Sequence, residues 1–495
     1  MLKRKSAPLV SSDDDNDSGD DEKVEQPVSL SLSDEQRYAY DCVMDGESIS
    51  LTGSAGTGKS RVINAISAAC KKERTKFAVA APTGMAASHV GGTTIHGFMR
   101  VGLINQLPFA DAVKKMKRMK GRNSQRLNAL SLVIIDEISM CGIYLFTLLH
   151  TYCCIMRGTS FDVPFGGLQM VICGDFLQLP PVPEQYRPED VKDPRFVFAF
   201  CSRIWYRLLK PRSIVLTEVH RQADPLFAAL LARMRTGDMT EEDHDWFRSR
   251  EGIKPPNRKA NPPPAMYALN ADADRVNDRK YRKLQGEERV YLSNAYYAPT
   301  APLPKGKRRW WTPSQRADVS KALDQFSDAS PLPRRLALKV RARVMLRRNV
   351  NQKKKLVNGS MGTVTGFDVE SGMPLVVFDK IPGVVHTIQI ARIESPERAD
   401  LPSGGGKLVY EQVPLVLAWA TSVHKSQGAT LEAAVMKLDR TMFEYGQCFV
   451  AVSRVETKKG VFLDGRYDPK AVKVNPLVRA YCKEQERQAK RQRVH

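Results

Sequence analysis

At 495 residues with 42% hydrophobic side chains and no apolar run of membrane-spanning length, the sequence predicts a globular protein of two to four domains. Nine cysteines without a C-x-x-C pair fit neither a disulfide framework nor a zinc ribbon, which leaves a reducing compartment. The net charge is +22, yet the first 35 residues carry ten acidic and four basic groups, a local −6 that leaves +28 on the remainder. So large an excess of one sign implies a polyanionic partner, most commonly nucleic acid.

Residues 1–30, with "SSDDDNDSGDDE", have too few apolar groups to offset the entropy of ordering and are expected to be a disordered acidic tail. Ser48 to Thr52 reads as a strand and the stretch from Val62 to Cys70 as a helix, with "GSAGTGKS" between them. Gly53, Gly58, Lys59 and Ser60 satisfy G-x-x-x-x-G-K-[ST]. In that spacing the backbone of Gly53, Ser54, Ala55, Gly56, Thr57 and Gly58 cradles phosphates, Lys59 reaches the β and γ phosphates and the Ser60 hydroxyl ligates Mg²⁺. ATP and Mg²⁺ are therefore the expected cofactors.

Apolar strand-like runs follow at 77, 131, 168 and 213, separated by helical patterns, and a second series at 265, 414, 433 and 460. Alternation of this kind indicates parallel sheets covered on both faces, with ligands at the carboxyl ends of the strands. Between the two series lie the proline-rich "KPPNRKANPPP", the basic "KGKRRWW" at 305 and short apolar runs with glycine turns from 354 to 413, which read as an inserted β-barrel. Asp136 and Glu137 end the run Leu132 to Ile135 as a Walker B pair: the aspartate to hold Mg²⁺, the glutamate to polarise water. Gln178 follows another apolar strand, where its amide can sense the γ-phosphate or orient water. Arg221 and Arg454 are candidate cations for the charge that develops on a transferring phosphoryl group.

In order, "LSDEQ" at 32, "GSAGTGKS" at 53, "APTGMAA" at 81, "TTIHGF" at 93, "IIDEISM" at 134, "PFGGLQMVICGDFLQLPPV" at 164, "LTEVHRQ" at 216, "VHKSQGATL" at 423 and "FVAVSRV" at 449 resemble the petite-integration-frequency helicases. These are superfamily 1B DNA helicases related to the RecD-type enzymes, and the resemblance covers about residues 30 to 465. It implies an α/β fold of two RecA-like phosphate-loop NTPase lobes, with a small wedge insertion in the first and a β-barrel insertion in the second. The implied boundaries are lobe 1A over 31–210 with its wedge at about 102–125, lobe 2A over 211–353 and 414–470, the barrel over 354–413 and a basic C-terminal tail over 471–495.

The same resemblance implies an ATP-dependent helicase that moves 5′ to 3′ on single-stranded DNA and unwinds duplex or forked DNA. Gln36 would read adenine, Lys59 and Ser60 would bind phosphate and metal, Asp136 the metal, Glu137 would be the base and Gln178 the sensor. Arg221 and Arg454 would be arginine fingers from the second lobe, and Thr83, His96 and His424 would line the DNA track. An ATP-gated clamp without processive unwinding and an RNA translocase are the alternatives. No membrane partner is expected; replication or repair proteins are, with a monomer in solution and a dimer on DNA as the variant. The start "MLKRKSAPLV" lacks a secretory core, and the clusters Lys3-Arg4-Lys5 and Lys490-Arg491-Gln492-Arg493 resemble nuclear import signals, a mitochondrial or viral replication site being the alternative.

Three departures from the family pattern stand out. "CGIYLFTLLHTYCCIMRG" at 141 is apolar where the family usually has a charged helix, Arg341 occupies a common glycine position, and "KGKRRWWTPSQRADVSK" at 305 is an extra basic insertion.

Overall fold

The computed structural model describes residues 32–492 except 209–211, 223, 256–261, 300–310, 329, 352, 353, 355, 380, 382 and 396–405. The acidic tail of 1–30 and the "KGKRRW" part of the basic insertion lie outside the described residues, as does most of the proline-rich connector.

The amino-terminal sheet is parallel throughout. Its strands β1 (Ile49–Gly53), β2 (Phe77–Ala81), β3 (Thr93–Thr94), β4 (Leu132–Ile135), β5 (Gln169–Gly174) and β6 (Ser213–Leu216) lie in the order β3-β2-β4-β5-β1-β6. Every residue of β4 and β6 is buried, as expected of parallel strands covered on both faces. Helices α1 (Asp34–Met44) and α2 (Lys59–Lys72) cover one face, where Val62, Ile63, Ile66 and Cys70 recur at helical spacing and pack on Ile49, Leu51 and Ile134. Short helices α3 (Gly84–His89) and α4 (Ile95–Met99) cap the β2 and β3 ends, and α5 (Phe109–Arg118) and α6 (Lys120–Asn128) occupy the segment expected to be a wedge.

The apolar departure at 141 is α7 (Ile143–Arg157), which is buried over nearly its whole circumference. Sequence hydropathy and structure agree there, since a helix apolar all round belongs in a core. It packs with α8 (Arg203–Leu208) and the aromatic cluster of Phe146, Phe176, Phe200 and Trp205 on the opposite face of the sheet.

The boundary expected at 210/211 falls one strand too early. β6 pairs in parallel with β1, Ser50 against Ser213 through a 2.7 Å hydroxyl contact, so the first lobe runs to about 216. The chain then crosses to α9 (Pro225–Thr236) and α10 (Glu241–Arg248), whose Phe227, Leu230, Leu231 and Phe247 enter the second core. That core surrounds a second parallel sheet of β7 (Ala265–Tyr267), β18 (Ala420–Ser422), β19 (Ala434–Met436) and β20 (Val461–Leu463), in the order β18-β7-β19-β20. Helices α11 (Asn270–Arg282) and α13 (Gln447–Val452) belong to it.

Between β7 and β18 the strands are antiparallel. β11 (Arg343–Leu346), β12 (Met361–Phe367), β13 (Pro374–Phe378), β14 (Val385–Thr387) and β17 (Leu415–Leu417) form one sheet, and β8 (Arg289–Leu292) pairs with β10 (Arg335–Leu338). β9 (Asn294–Pro299), β15 (Ala391–Glu394) and β16 (Gly406–Gln412) make a third, on which α12 (Pro313–Asp328) packs. The expected limits of 354 and 413 are too narrow on both sides. β11 and β17 pair with one another, and the apolar run at 414 divides between β17 here and β18 in the second lobe.

Arg341 has φ 72°, in the left-handed region, and its N–H donates to Val364 O at 2.7 Å. That conformation is the physical reason a glycine suits this turn.

The expected basic tail is, over Pro476–Gln492, the helix α14. Val478, Tyr481 and Cys482 join the first lobe's core; Tyr481 stacks on Phe200 at 4.1 Å and accepts a 2.9 Å hydrogen bond from Trp205 Nε1. Its Arg479 pairs with Asp238 beyond the end of α9, so α14 bridges both lobes.

Candidate active site

The phosphate loop leaves β1 at Gly53 and enters α2 at Lys59, so the first turn of that helix aims its free N–H groups at the loop. Gly56 and Gly58 have φ 88° and 83°, and a Cβ on Gly56 would sit 2.6 Å from the Cβ of Arg221. Glycine is therefore required on two counts, backbone and space. The loop is held from the first helix and from the crossover: Gln36 Nε2 donates to Thr57 O at 3.1 Å and meets His220 Nε2 at 3.3 Å, while the His220 N–H donates to Gly56 O at 2.9 Å. Lys59 Nζ donates to Gly53 O and Ser54 O at 2.8 and 2.9 Å, folded back onto its own loop.

Asp136 and Glu137 emerge at the carboxyl end of β4, beside the loop. Asp136 is buried and accepts the Glu137 N–H at 2.9 Å. Glu137 takes φ 53°, uncommon for a side-chain-bearing residue and typical of a site where the backbone is held in an unfavourable state. Burial raises the proton affinity of both carboxyls, and at Asp136 the neighbouring Glu137 adds to it. A hydroxyl on Ser60 and one buried carboxylate are too few ligands for Mg²⁺ alone but suit an ion that keeps waters and arrives with phosphate oxygens. The donor set thus fits a nucleotide-bound magnesium ion.

From the second lobe, Gln427 Nε2 donates to Glu137 Oε2 at 3.1 Å. Arg454 is buried, its Nε donating to Val450 O at 3.0 Å and its Nη2 to Ser453 Oγ at 2.9 Å. Burial, reinforced by the adjacent Arg221, pulls its proton affinity down to a pKa of about 9. Arg221 Nη1 donates to Ser453 O at 3.4 Å. It enters from the crossover five residues after β6, not from the body of the second lobe as expected. Gln178 Nε2 donates to Asp175 Oδ2 at 3.2 Å, and Asp175, fully buried, pairs with Arg235 of α9 at 2.8 and 3.0 Å.

These groups share one cavity of about 510 Å³, lined by Ala55, Gly56, Gly58, Lys59, Ser60, Asp136, Glu137, Gln178, Arg221 and Arg454. Thr83 and His424 line the same cavity. Gly53 and Ser54 line a smaller cavity behind the loop, Thr57 is buried, and Gln36 touches the loop through its amide. His96 sits apart, its Nε2 2.8 Å from Asn105 Oδ1, in a cavity of about 420 Å³ between the first lobe and α12. Sequence reasoning missed Gln427, Asp175, Arg235 and His220, although "HKSQG", "GDFLQ" and "EVHRQ" each contained or adjoined a residue it did name.

A phosphate loop, an acidic pair, the buried Arg454 and the half-buried Arg221 meeting between two parallel sheets define the two-lobed, RecA-like phosphate-loop fold. The chain belongs to the PIF1-like helicase family, whose model matches residues 31–245, and a second model, the 2B domain of the DNA helicase Pif1, matches residues 325–367. It is 36% identical over 90% of its length to the human ATP-dependent DNA helicase PIF1, of which it spans 63%, somewhat under two thirds. It is 30% identical to the ATP-dependent DNA helicase Pif1 of Bdellovibrio bacteriovorus, covering 92% of each chain. The crystal structure of Pif1 helicase from Candida albicans superposes with a TM-score of 0.68 at 32% identity, over 92% of this chain and 99% of that one. Among the described residues no helix is long and apolar enough to cross a membrane.

Proposed function

We propose that this chain is an ATP-dependent DNA helicase that moves 5′ to 3′ along single-stranded DNA and separates duplex or forked DNA ahead of it. The observation that carries the reading is the shared cavity: the phosphate loop, Glu137 and Gln178 come from one lobe, Gln427 and Arg454 from the other, and Arg221 from the crossover. A site divided in this way is complete when the lobes close, which converts nucleotide turnover into lobe motion.

Ser60 and Asp136 would hold Mg²⁺, which when bound neutralises charge on the β and γ phosphate oxygens. Lys59 exchanges the carbonyls of Gly53 and Ser54 for phosphate oxygens. Glu137, oriented by the Gln427 amide, polarises the attacking water, and Gln178 registers the γ-phosphate and relays its presence through Asp175 to Arg235 on the second lobe. Arg221 and Arg454 neutralise charge on the transferring phosphoryl group. Gln36 reads adenine; Thr83 and His424, which line the nucleotide cavity, would meet DNA at its rim, and His96 would line the DNA track from its own cavity. In this reading α5 and α6 form the wedge and the antiparallel strands around β11 to β14 the inserted barrel.

The test is ATP hydrolysis by the full chain with and without single-stranded DNA. Strong stimulation by DNA supports the reading; equal rates with and without it, or stimulation by RNA alone, contradict it.

A further inference from the structure

The cavity around His96 has two walls from distant parts of the chain. On the first lobe, Thr94, His96 and Arg100 belong to α4 and its ends. Opposite them stand Ala322, Gln325 and Phe326 of α12, a helix that begins within the basic insertion, continues past its last residue Lys321 and enters the matched 2B segment at Gln325. α12 is seated firmly: Val319 and Ala322 pack with Leu408 of β16, and Trp311 meets Tyr297 of β9 edge to face at 5.5 Å.

The charges at this cavity are chiefly positive. Arg100 and Arg348 line it, and its carboxylate, Glu394, is held by Arg392 at 2.9 Å and Lys407 at 2.7 Å. At its mouth Lys115 of α5 places its ammonium beside Gly102, and the charge it senses across the gap is another lysine, Lys321 of α12. Half-burial and that like charge both depress the proton affinity of Lys115. Two lysines brought together from separate lobes repel one another in the free protein, and an anion between them relieves the repulsion. Gln325 and Phe326 line the cavity, and Lys321, one helical turn before Gln325, places a cation at the edge of that amide and ring. That combination suits an unpaired strand, which offers phosphates and exposed base faces alike.

We propose that α12 grips the translocating strand: with α5 it closes the His96 cavity around single-stranded DNA, Lys321 and Lys115 taking backbone phosphates from opposite sides. The inference rests on the DNA-helicase reading and adds to it a contact made by the inserted segment. Because each phosphate neutralised by a lysine releases counterion, the salt dependence of binding counts such contacts.

The experiment is equilibrium binding of a labelled oligothymidylate to the full chain, without nucleotide, across a range of salt concentrations. Lys321→Ala is expected to flatten the plot of log affinity against log salt by about 0.7 and to weaken binding several-fold at low salt. The Lys115→Ala, Lys321→Ala double variant should flatten it about twice as much, and Lys321→Arg should restore the parental slope. If the parent binds and the slopes of Lys321→Ala and the double variant match its own, the α12 contact is overturned while the helicase reading stands. If the parent itself fails to bind the oligothymidylate, both fall.

Discussion

Glu137 combines a left-handed backbone, a half-buried and desolvated carboxyl and a hydrogen bond from the other lobe, and each bears on its reactivity. Glu137→Gln is expected to keep nucleotide binding while turnover falls by about 10² to 10⁴, since the amide keeps the shape and loses the base. Nucleotide titration alongside single-turnover hydrolysis checks both halves. Gln427→Leu should lower turnover too, with nucleotide affinity changed less, because it leaves the base present but unheld. Arg341, at φ 72°, gives a prediction of the opposite sign: Arg341→Gly relieves backbone strain but adds freedom to the unfolded chain, for a net gain of about 0.5 to 1 kcal/mol in denaturant unfolding. The phosphate loop and the acidic pair were legible in the sequence because their chemistry is written in adjacent residues. Gln427 was not, since its partner lies 290 positions away and an amide in a loop carries no local signal.

At the scale of elements, α14 is the least expected piece, because its many Lys and Arg residues mask a stripe of Val478, Tyr481, Cys482 and Gln485 at helical spacing. Reading the period rather than the charge would have found it. Tyr481→Ala removes the stack on Phe200 and the Trp205 hydrogen bond, and is expected to cost about 3 to 5 kcal/mol, measured by chemical denaturation. The strand β6 shows the complementary difficulty: its apolar run was plain, but its partner β1 lies more than 160 residues earlier, and nothing in the run says which lobe it joins. The apolar helix α7 gives a further test. Cys153 and Cys154 are buried and burial raises their thiol pKa values, while Cys201, partly accessible, is pushed up to about 11. At pH 8 all three are therefore protonated, and alkylation should be slow in the native protein and rapid after unfolding.

For the whole molecule, the two parallel sheets were legible from the alternation of apolar strands and helices, whereas their limits were not, because the antiparallel strands are interleaved with the second lobe along the chain. The lobes meet through α14 and through side-chain contacts at the cleft: Gln427 to Glu137, Arg221 to Ser453 and Asp175 to Arg235. Arg221→Ala and Arg454→Ala should each slow DNA-stimulated hydrolysis by about 10³ or more, because they act on charge that develops as the phosphoryl group transfers. Single-stranded DNA affinity measured without nucleotide should stay close to the parent's. A comparable loss of DNA affinity would move that arginine from the nucleotide to the track. The most direct measurement of the central claim is strand displacement by the full chain, with ATP and Mg²⁺, on one duplex carrying a 5′ single-stranded tail and on the same duplex carrying a 3′ tail. A 5′ to 3′ helicase separates the first and leaves the second paired. Separation of neither duplex while ATP is hydrolysed, or equal separation of both, contradicts it.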